Sequence, residues 1–354
     1  SKRLPEEQRN AWKDRITAMI DNEEGAIIRT SVNDSPIETI IQEYNYLRGK
    51  WMEIDNVGKK SRVPNCIYSD KQVPDRLVRK YPLKRIDAIY IDNATEANRL
   101  RRAFPYLGHL IQWEKSVESR LPIPIKQLMT ETVAPTVKTN SGVELTFEQT
   151  EALTVIDIDT GGFRTKQNKK QTVLHANRIA ANEIARQLRL RNISGIIIID
   201  FITMKHEADR SSIIKTLKQE VSKDPIHTEV FGFTKLGLLE MTRKRESVAI
   251  AELLLSNTNK KVTFSTLTHV FMLERDLMEH SNQNEAIYLE INPIIVRKFK
   301  ETIDFIKLQA KLTSNVYVKE TKGQATYQIK LAGSERVVID YLASKANDNV
   351  DKLF

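Results

Sequence analysis

Two short runs of mostly β-branched residues, Leu153 to Asp159 (LTVIDID) and Ile196 to Asp200 (IIIID), flank one long amphipathic segment, and this arrangement limits the folds open to the chain. From about Thr172 to Arg191, Ile179, Ile184, Leu188 and the interspersed alanines form one stripe. Arg178, Arg186, Arg189 and Arg191 form most of the opposite, solvated face. The loop Thr160 to Lys170 precedes this helix, and Asn192 to Gly195 end it. A helix of about 20 residues spans roughly 30 Å, enough to return the chain parallel to its start. Strand, helix, strand is a βαβ unit.

The acids in these strands raise a chemical question. Side chains alternate along a strand, so Asp157 and Asp159 share one face, roughly 7 Å apart. At an effective dielectric near 20 they repel by roughly 2 kcal/mol. Asp157 lies inside an apolar run and reads as buried, so a partner or a metal is expected. Ligands of parallel sheets bind outside the carboxyl ends of the strands, where Asp200 joins the pair if the two strands are neighbours. Three converging carboxylates suit Mg²⁺, with Mn²⁺ as the alternative ion. Gly161 and Gly162 would admit a bulky anion such as a phosphate. An aspartate that ends a strand is as often a turn or cap residue, and Asp200 alone carries that reading equally. Paired carboxylates also serve glycoside hydrolysis, but the chain lacks the aromatic density of a sugar platform.

A length of 354 residues favours two or three domains. Before the βαβ unit, a helix from Glu6 to Ile20, a strand Ala26 to Thr30, a helix from Ser35-Pro36 to Tyr46, a loop from Asp55 to Pro64, a helix Val73 to Tyr81, a strand Ala88 to Ile91 and a helix to Phe104 make a small α/β region. Leu121 to Thr150 reads as β-rich, with a hairpin turn at Asn140-Ser141-Gly142. After Asp200 come a helix Ser211 to Ser222, a strand Thr228 to Phe233 and a short apolar piece Leu236 to Glu240. A β-rich stretch Thr263 to Met272, a helix Pro293 to Leu308 and two strands within Val316 to Ile329 complete the reading. The formal charge of +9 favours a polyanionic partner. No apolar run approaches a membrane span and no signal peptide opens the chain, so a cytoplasmic protein is expected. The single cysteine, Cys66, excludes an intramolecular disulfide and a cysteine-rich zinc site.

VIDIDTGGF, NRIAANEIARQLRLRNISGIIIIDFITM and KLGLLEMTRKR resemble the catalytic core of the ribonuclease E/G family of endoribonucleases, and GAIIRT and SGVELTFEQTEAL match it in character. The resemblance implies an α/β, α+β multidomain fold. It places a 5′-sensor-like region at 1–115, a β-rich RNase H-like segment at 116–152, a DNase I-like catalytic core at 153–256 and a small C-terminal α+β domain at 257–354. It implies a Mg²⁺-dependent cut of single-stranded RNA in processing or decay, with Asp157 and Asp200 as metal ligands. It also implies a preference for 5′-monophosphorylated RNA, bound through Arg29 and Thr30 and a further position that falls on His227. Lys166, Lys169, Lys170, Arg243, Lys244 and Arg245 read as contacts to the RNA backbone, with a plain solvated surface as the equal alternative.

Departures from the family pattern shape the alternative. Asp159 stands where the family has asparagine, and it either joins the catalytic acids or repels the scissile phosphate. Thr203 replaces a frequent acid. Glu246 to Leu255 holds no cysteine, so no structural zinc is expected and a homo-oligomer would form without a zinc link. The oligonucleotide-binding barrel that members usually carry before the sensor region is not expected here. The second reading is therefore an RNA-binding relative that cleaves weakly and acts as a scaffold.

Overall fold

The computed structural model describes residues 5–21, 23–27, 36–68, 73–81, 85–162, 169–258, 261–323, 326–344 and 350–353. The chain divides into two compact units, Ser1–Leu121 and Pro122–Phe354.

The first unit contains α1 (Glu6–Thr17), α2 (Ile37–Lys60), α3 (Val73–Lys80), β1 (Ile89–Ile91), α4 (Ala94–Ala103) and β2 (Ile111–Trp113). The two strands pair in parallel. Val78, Ala97, Leu100, Phe104, Leu107 and Ile111 form the core, and the Asn93 side chain caps α4 by accepting the Glu96 N–H. The nearly buried Asp75 carboxylate is held by the Arg99 guanidinium, which also grips Glu96. The expected loop from Asp55 is helical as far as Lys60. An Asp55–Lys59 ion pair at i,i+4 and the Ser61 hydroxyl on the Val57 carbonyl carry α2 through Gly58. Ala26 and Ile27 are not in a strand, and the remainder of that expected strand lies outside the described residues.

The second unit opens with α5 (Ile125–Val133), β3 (Thr136–Lys138), β4 (Glu144–Gln149), β5 (Leu153–Asp159), α6 (Lys169–Arg191), β6 (Gly195–Asp200), α7 (Glu207–Val221), β7 (Thr228–Phe233) and β8 (Leu239–Arg243). The strands form one sheet in the order β3-β4-β5-β6-β8-β7. Only β5 and β6 run parallel, joined by α6, and every other neighbour is antiparallel. One face buries Leu145, Ile156, Ile158, Ile197, Ile199, Val230, Leu239 and Met241 against Ala180, Ile184 and Leu188 of α6 and Ile213 and Leu217 of α7. Asn192, at φ 52°, turns the chain out of α6, and Gly195, at φ 93°, starts β6. Arg191 is not on the solvated face: it is buried, stacks 4.5 Å from the Phe147 ring and donates to the carbonyls of Ala134 and Glu131. Those carbonyls come from the end of α5, a helix in a stretch that composition alone reads as β-rich.

The unit continues with α8 (Ile250–Leu254), β9 (Leu255–Thr258), β10 (Lys261–Phe264), α9 (Thr266–Ser281), β11 (Ala286–Ile291), α10 (Pro293–Thr302), α11 (Phe305–Gln309), β12 (Asn315–Glu320), β13 (Tyr327–Gly333), α12 (Glu335–Ser344) and β14 (Asp351–Lys352). β13, β11, β12 and β14 form a second sheet, with β11 and β12 parallel. The β-rich stretch expected to Met272 ends at Phe264. Ser265 caps α9 by accepting the Thr268 N–H, and Val270, Leu273 and Leu277 then follow helical spacing into the core. The helix expected from Pro293 to Leu308 is broken after Thr302, where Asp304 caps the separate α11.

Candidate active site

Alternation along β5 settles where its acids go. Thr154, Ile156 and Ile158 point at the helices and are buried, whereas Asp157 and Asp159 lie on the opposite face and are exposed. The expectation of a buried Asp157 is therefore corrected. α6 and α7 cover one face of this sheet, and alternate residues of an apolar run reach water on the other.

Asp157 and Asp200 are direct partners across the parallel pair of β5 and β6. Adjacent strands lie about 4.8 Å apart, so the two Cα atoms are close neighbours. Both side chains are exposed on the same face. Neither carboxylate has a hydrogen bond or an ion pair with a described residue. In water-like surroundings the repulsion at this spacing is only about 1 kcal/mol, which the rigid backbone ladder sustains. Two unshared carboxylates on one rim suit a hard cation that keeps several of its waters.

Asp159 does not complete a three-acid cluster. Among the described residues no group of three or more His, Cys, Asp or Glu is placed to hold a metal ion. The Asp159 carboxylate accepts the Gly161 N–H at 3.0 Å, closing a turn that ends β5. Gly161 has φ 49°, and a Cβ there would stand 2.9 Å from the Gly142 carbonyl oxygen. Its smallness serves the approach of the β3–β4 hairpin, where the sequence suggested an approaching phosphate. Gly162 has open space around it.

The chain leaving Asp200 is pinned from α6. Asn177, fully buried, donates to the Ile202 carbonyl at 2.8 Å and accepts the Ile202 N–H at 3.1 Å. Arg210 donates to the Met204 carbonyl while its guanidinium lies over the Phe233 ring. Sequence reasoning passed over Asn177. Its signal is an amide one residue after Ala176 on the apolar side of a helix, where a polar group needs a partner.

The candidate phosphate contacts separate into different roles. Arg243 is only 3% exposed and is not an RNA contact: it pairs with Asp224 at 2.8 Å and donates to the Asn192 side chain and the Ile193 carbonyl. It locks the turn between α6 and β6. Lys244 and Arg245 are exposed, and the exposed His227 accepts the Lys244 N–H on its carbonyl. Gly195 pairs with Arg243, so these residues sit at the start of β6, about 17 Å along the strand from Asp200. Lys170 pairs with Asp209 at 3.6 Å. Arg29, Thr30 and Lys166 lie outside the described residues, and so does the side chain of Lys169. A groove along α7, lined by Ser211, Lys215, Lys218 and Ser222, contains none of the three aspartates.

Residues 1–246 match the sequence profile of the Ribonuclease E/G family. Ribonuclease G of Escherichia coli (strain K12) is 29% identical over 306 residues, 83% of this chain and 63% of that protein. Ribonuclease G of Haemophilus influenzae is 30% identical over 82% of this chain and 61% of its own length. Ribonuclease E of Nostoc sp. is 33% identical over 65% of this chain and 34% of its own. The chain thus spans somewhat under two thirds of the length of the ribonuclease G relatives it matches.

Proposed function

We propose, for a chain that belongs to the ribonuclease E/G family, that it is a Mg²⁺-dependent endoribonuclease cutting single-stranded RNA in processing or decay. The observation that supports this reading best is the in-register, exposed pair Asp157 and Asp200, which has no partner among the described residues. Two carboxylate oxygens at one sheet rim fit Mg²⁺, which takes one or two carboxylates and completes its shell with water and substrate phosphate. Bound there, the ion would supply an activated water and offset charge on the phosphate. Asp157 and Asp200 would hold it. The β5–β6 ladder fixes the spacing of the two acids, and Asn177 holds the segment after Asp200 so that its carboxylate does not drift. The finer architecture belongs to the same reading: a DNase I-like core over 153–256, an RNase H-like segment before it, a sensor-like region at 1–115 and a small domain from 257.

Preference for a 5′-monophosphate would rest on Arg29 and Thr30, a guanidinium and a hydroxyl suited to a phosphate monoester. The reaction would leave a 3′-hydroxyl and a 5′-monophosphate, in the cytoplasm.

Cleavage of 5′-monophosphorylated and 5′-hydroxyl oligonucleotides with Mg²⁺ tests the reading. The monophosphate is expected to be cut faster, and Asp157→Asn or Asp200→Asn to lose at least a hundredfold in rate. Variants that cut as fast as the parent would show that the site is elsewhere. The scaffold reading has Asp159 behind it, and a parent that binds RNA but gains cleavage only as Asp159→Asn would favour it.

A further inference from the structure

The sheet whose open face carries Asp157 and Asp200 also exposes, on its edge strand β7, an aromatic ring that the proposed reaction has not used. Along β7 the pairing with β8 slips between Val230 and Gly232. Val230 pairs with Met241 and Gly232 with Glu240, which leaves Phe231 as the extra residue of a bulge. Val230 is in the core, whereas Phe231 is 58% exposed. Bulges re-aim side chains and are common next to active sites. A lone exposed phenylalanine is ordinary in itself. Phe231 differs in its neighbours.

Glu240, beside the bulge, is exposed on the open face and has no hydrogen-bond or ion-pair partner among the described residues. Ile198 pairs with Glu240, and Asp200 lies two residues further along β6 on that face. Strand spacings place the Glu240 Cα roughly 8 Å from that of Asp200, and the Phe231 Cα roughly 12 Å away. Lys244 and Arg245 stand at the opposite end of these strands. A chain crossing from the basic end to the carboxylate pair would pass Phe231 within a few nucleotides of the cut.

We propose that Phe231 and Glu240 form a base-recognition subsite for single-stranded RNA, with the ring as a stacking platform and the carboxylate as acceptor for a base amino group. The inference rests on the endoribonuclease reading. Charge decides which part of the nucleotide sits there. Glu240 and the exposed Glu229 repel phosphate, whereas a carboxylate accepts hydrogen bonds from donors such as the cytosine N4 amino group. Uracil has no exocyclic amino group to offer. Stacking on an aromatic ring tolerates every base, so the ring supplies affinity and Glu240 supplies preference.

The test measures binding, in EDTA, of 5′-monophosphorylated oligonucleotides that carry cytosine, uracil or an abasic residue at each position in turn, with cleavage then followed in Mg²⁺. At one position the parent is expected to bind cytosine most tightly and the abasic strand about tenfold more weakly, the equivalent of ~1.4 kcal/mol. Phe231→Ala should remove the difference between base and abasic residue. Glu240→Gln should remove the preference for cytosine over uracil while keeping that for a base over none. Unchanged discrimination in both variants overturns the subsite, and so does an equal loss on every strand, abasic included, because that marks a structural defect. A parent that binds and cuts RNA without these differences fails only the subsite. A parent that neither binds nor cuts RNA fails the endoribonuclease reading itself.

Discussion

Arg243, Lys244 and Arg245 are adjacent in sequence yet do different work. Strand alternation turns Arg243 into the interior against Asp224, and the strand ends before its two neighbours, which reach solvent. Truncating Arg243 would strand the Asp224 carboxylate, so Arg243→Met is expected to lower stability by about 3–5 kcal/mol in a denaturant titration. Lys244→Ala and Arg245→Ala should leave that titration unchanged. Each should instead weaken RNA binding and flatten its salt dependence by about one charge. Asp159 is the other residue whose neighbours matter. Asparagine can accept the same Gly161 N–H, so Asp159→Asn should keep the turn and remove one negative charge beside the proposed scissile phosphate. RNA affinity measured in EDTA is expected to rise several-fold, and an unchanged affinity would show that Asp159 faces no phosphate.

The elements that could be read from sequence were those whose local and tertiary signals agree. LTVIDID, IIIID and TEVFGF became β5, β6 and β7 because they are short runs rich in β-branched and aromatic residues, which suit a pleated, half-buried surface. α9 was missed because Val262, Thr263, Phe264 and Thr266 resemble strand residues, while the Ser265 cap and the spacing of Val270, Leu273 and Leu277 carry the helix. α9 also carries a testable pH effect. Burial, reinforced by Lys126, lowers the His269 pKa from its usual value of 6.5. The unfolded chain therefore binds the proton more readily, and stability should fall as pH drops through about 6.5. His269→Gln is expected to remove that share of the acid sensitivity, read as the denaturant midpoint at pH 7.5 and 5.5. In α6, Asn177→Ala would leave the Ile202 N–H and carbonyl without their partner and is expected to cost about 1–3 kcal/mol.

Each hydrophobic core falls wholly within one of the two units: one between Val78 and Ile111, the others between Val143 and Val338. A fragment from Pro122 to Phe354 is therefore expected to unfold cooperatively by itself, with a thermal transition visible by circular dichroism. A broad, non-cooperative melt would mean that its cores depend on the first unit. At this level, the sequence alone determined the βαβ unit and the residues at its strand ends, because side-chain period and helix length are local properties. It could not determine that Asp157 faces water, since burial depends on which face of the sheet α6 and α7 cover. Nor could it determine that Asp200, and not the nearby Asp159, is the cross-strand partner of Asp157. Register is a property of two strands distant in sequence, and the same folding turned Asp159 into a turn residue, Arg243 into a core cation and Phe231 into an exposed ring at a bulge of the same sheet.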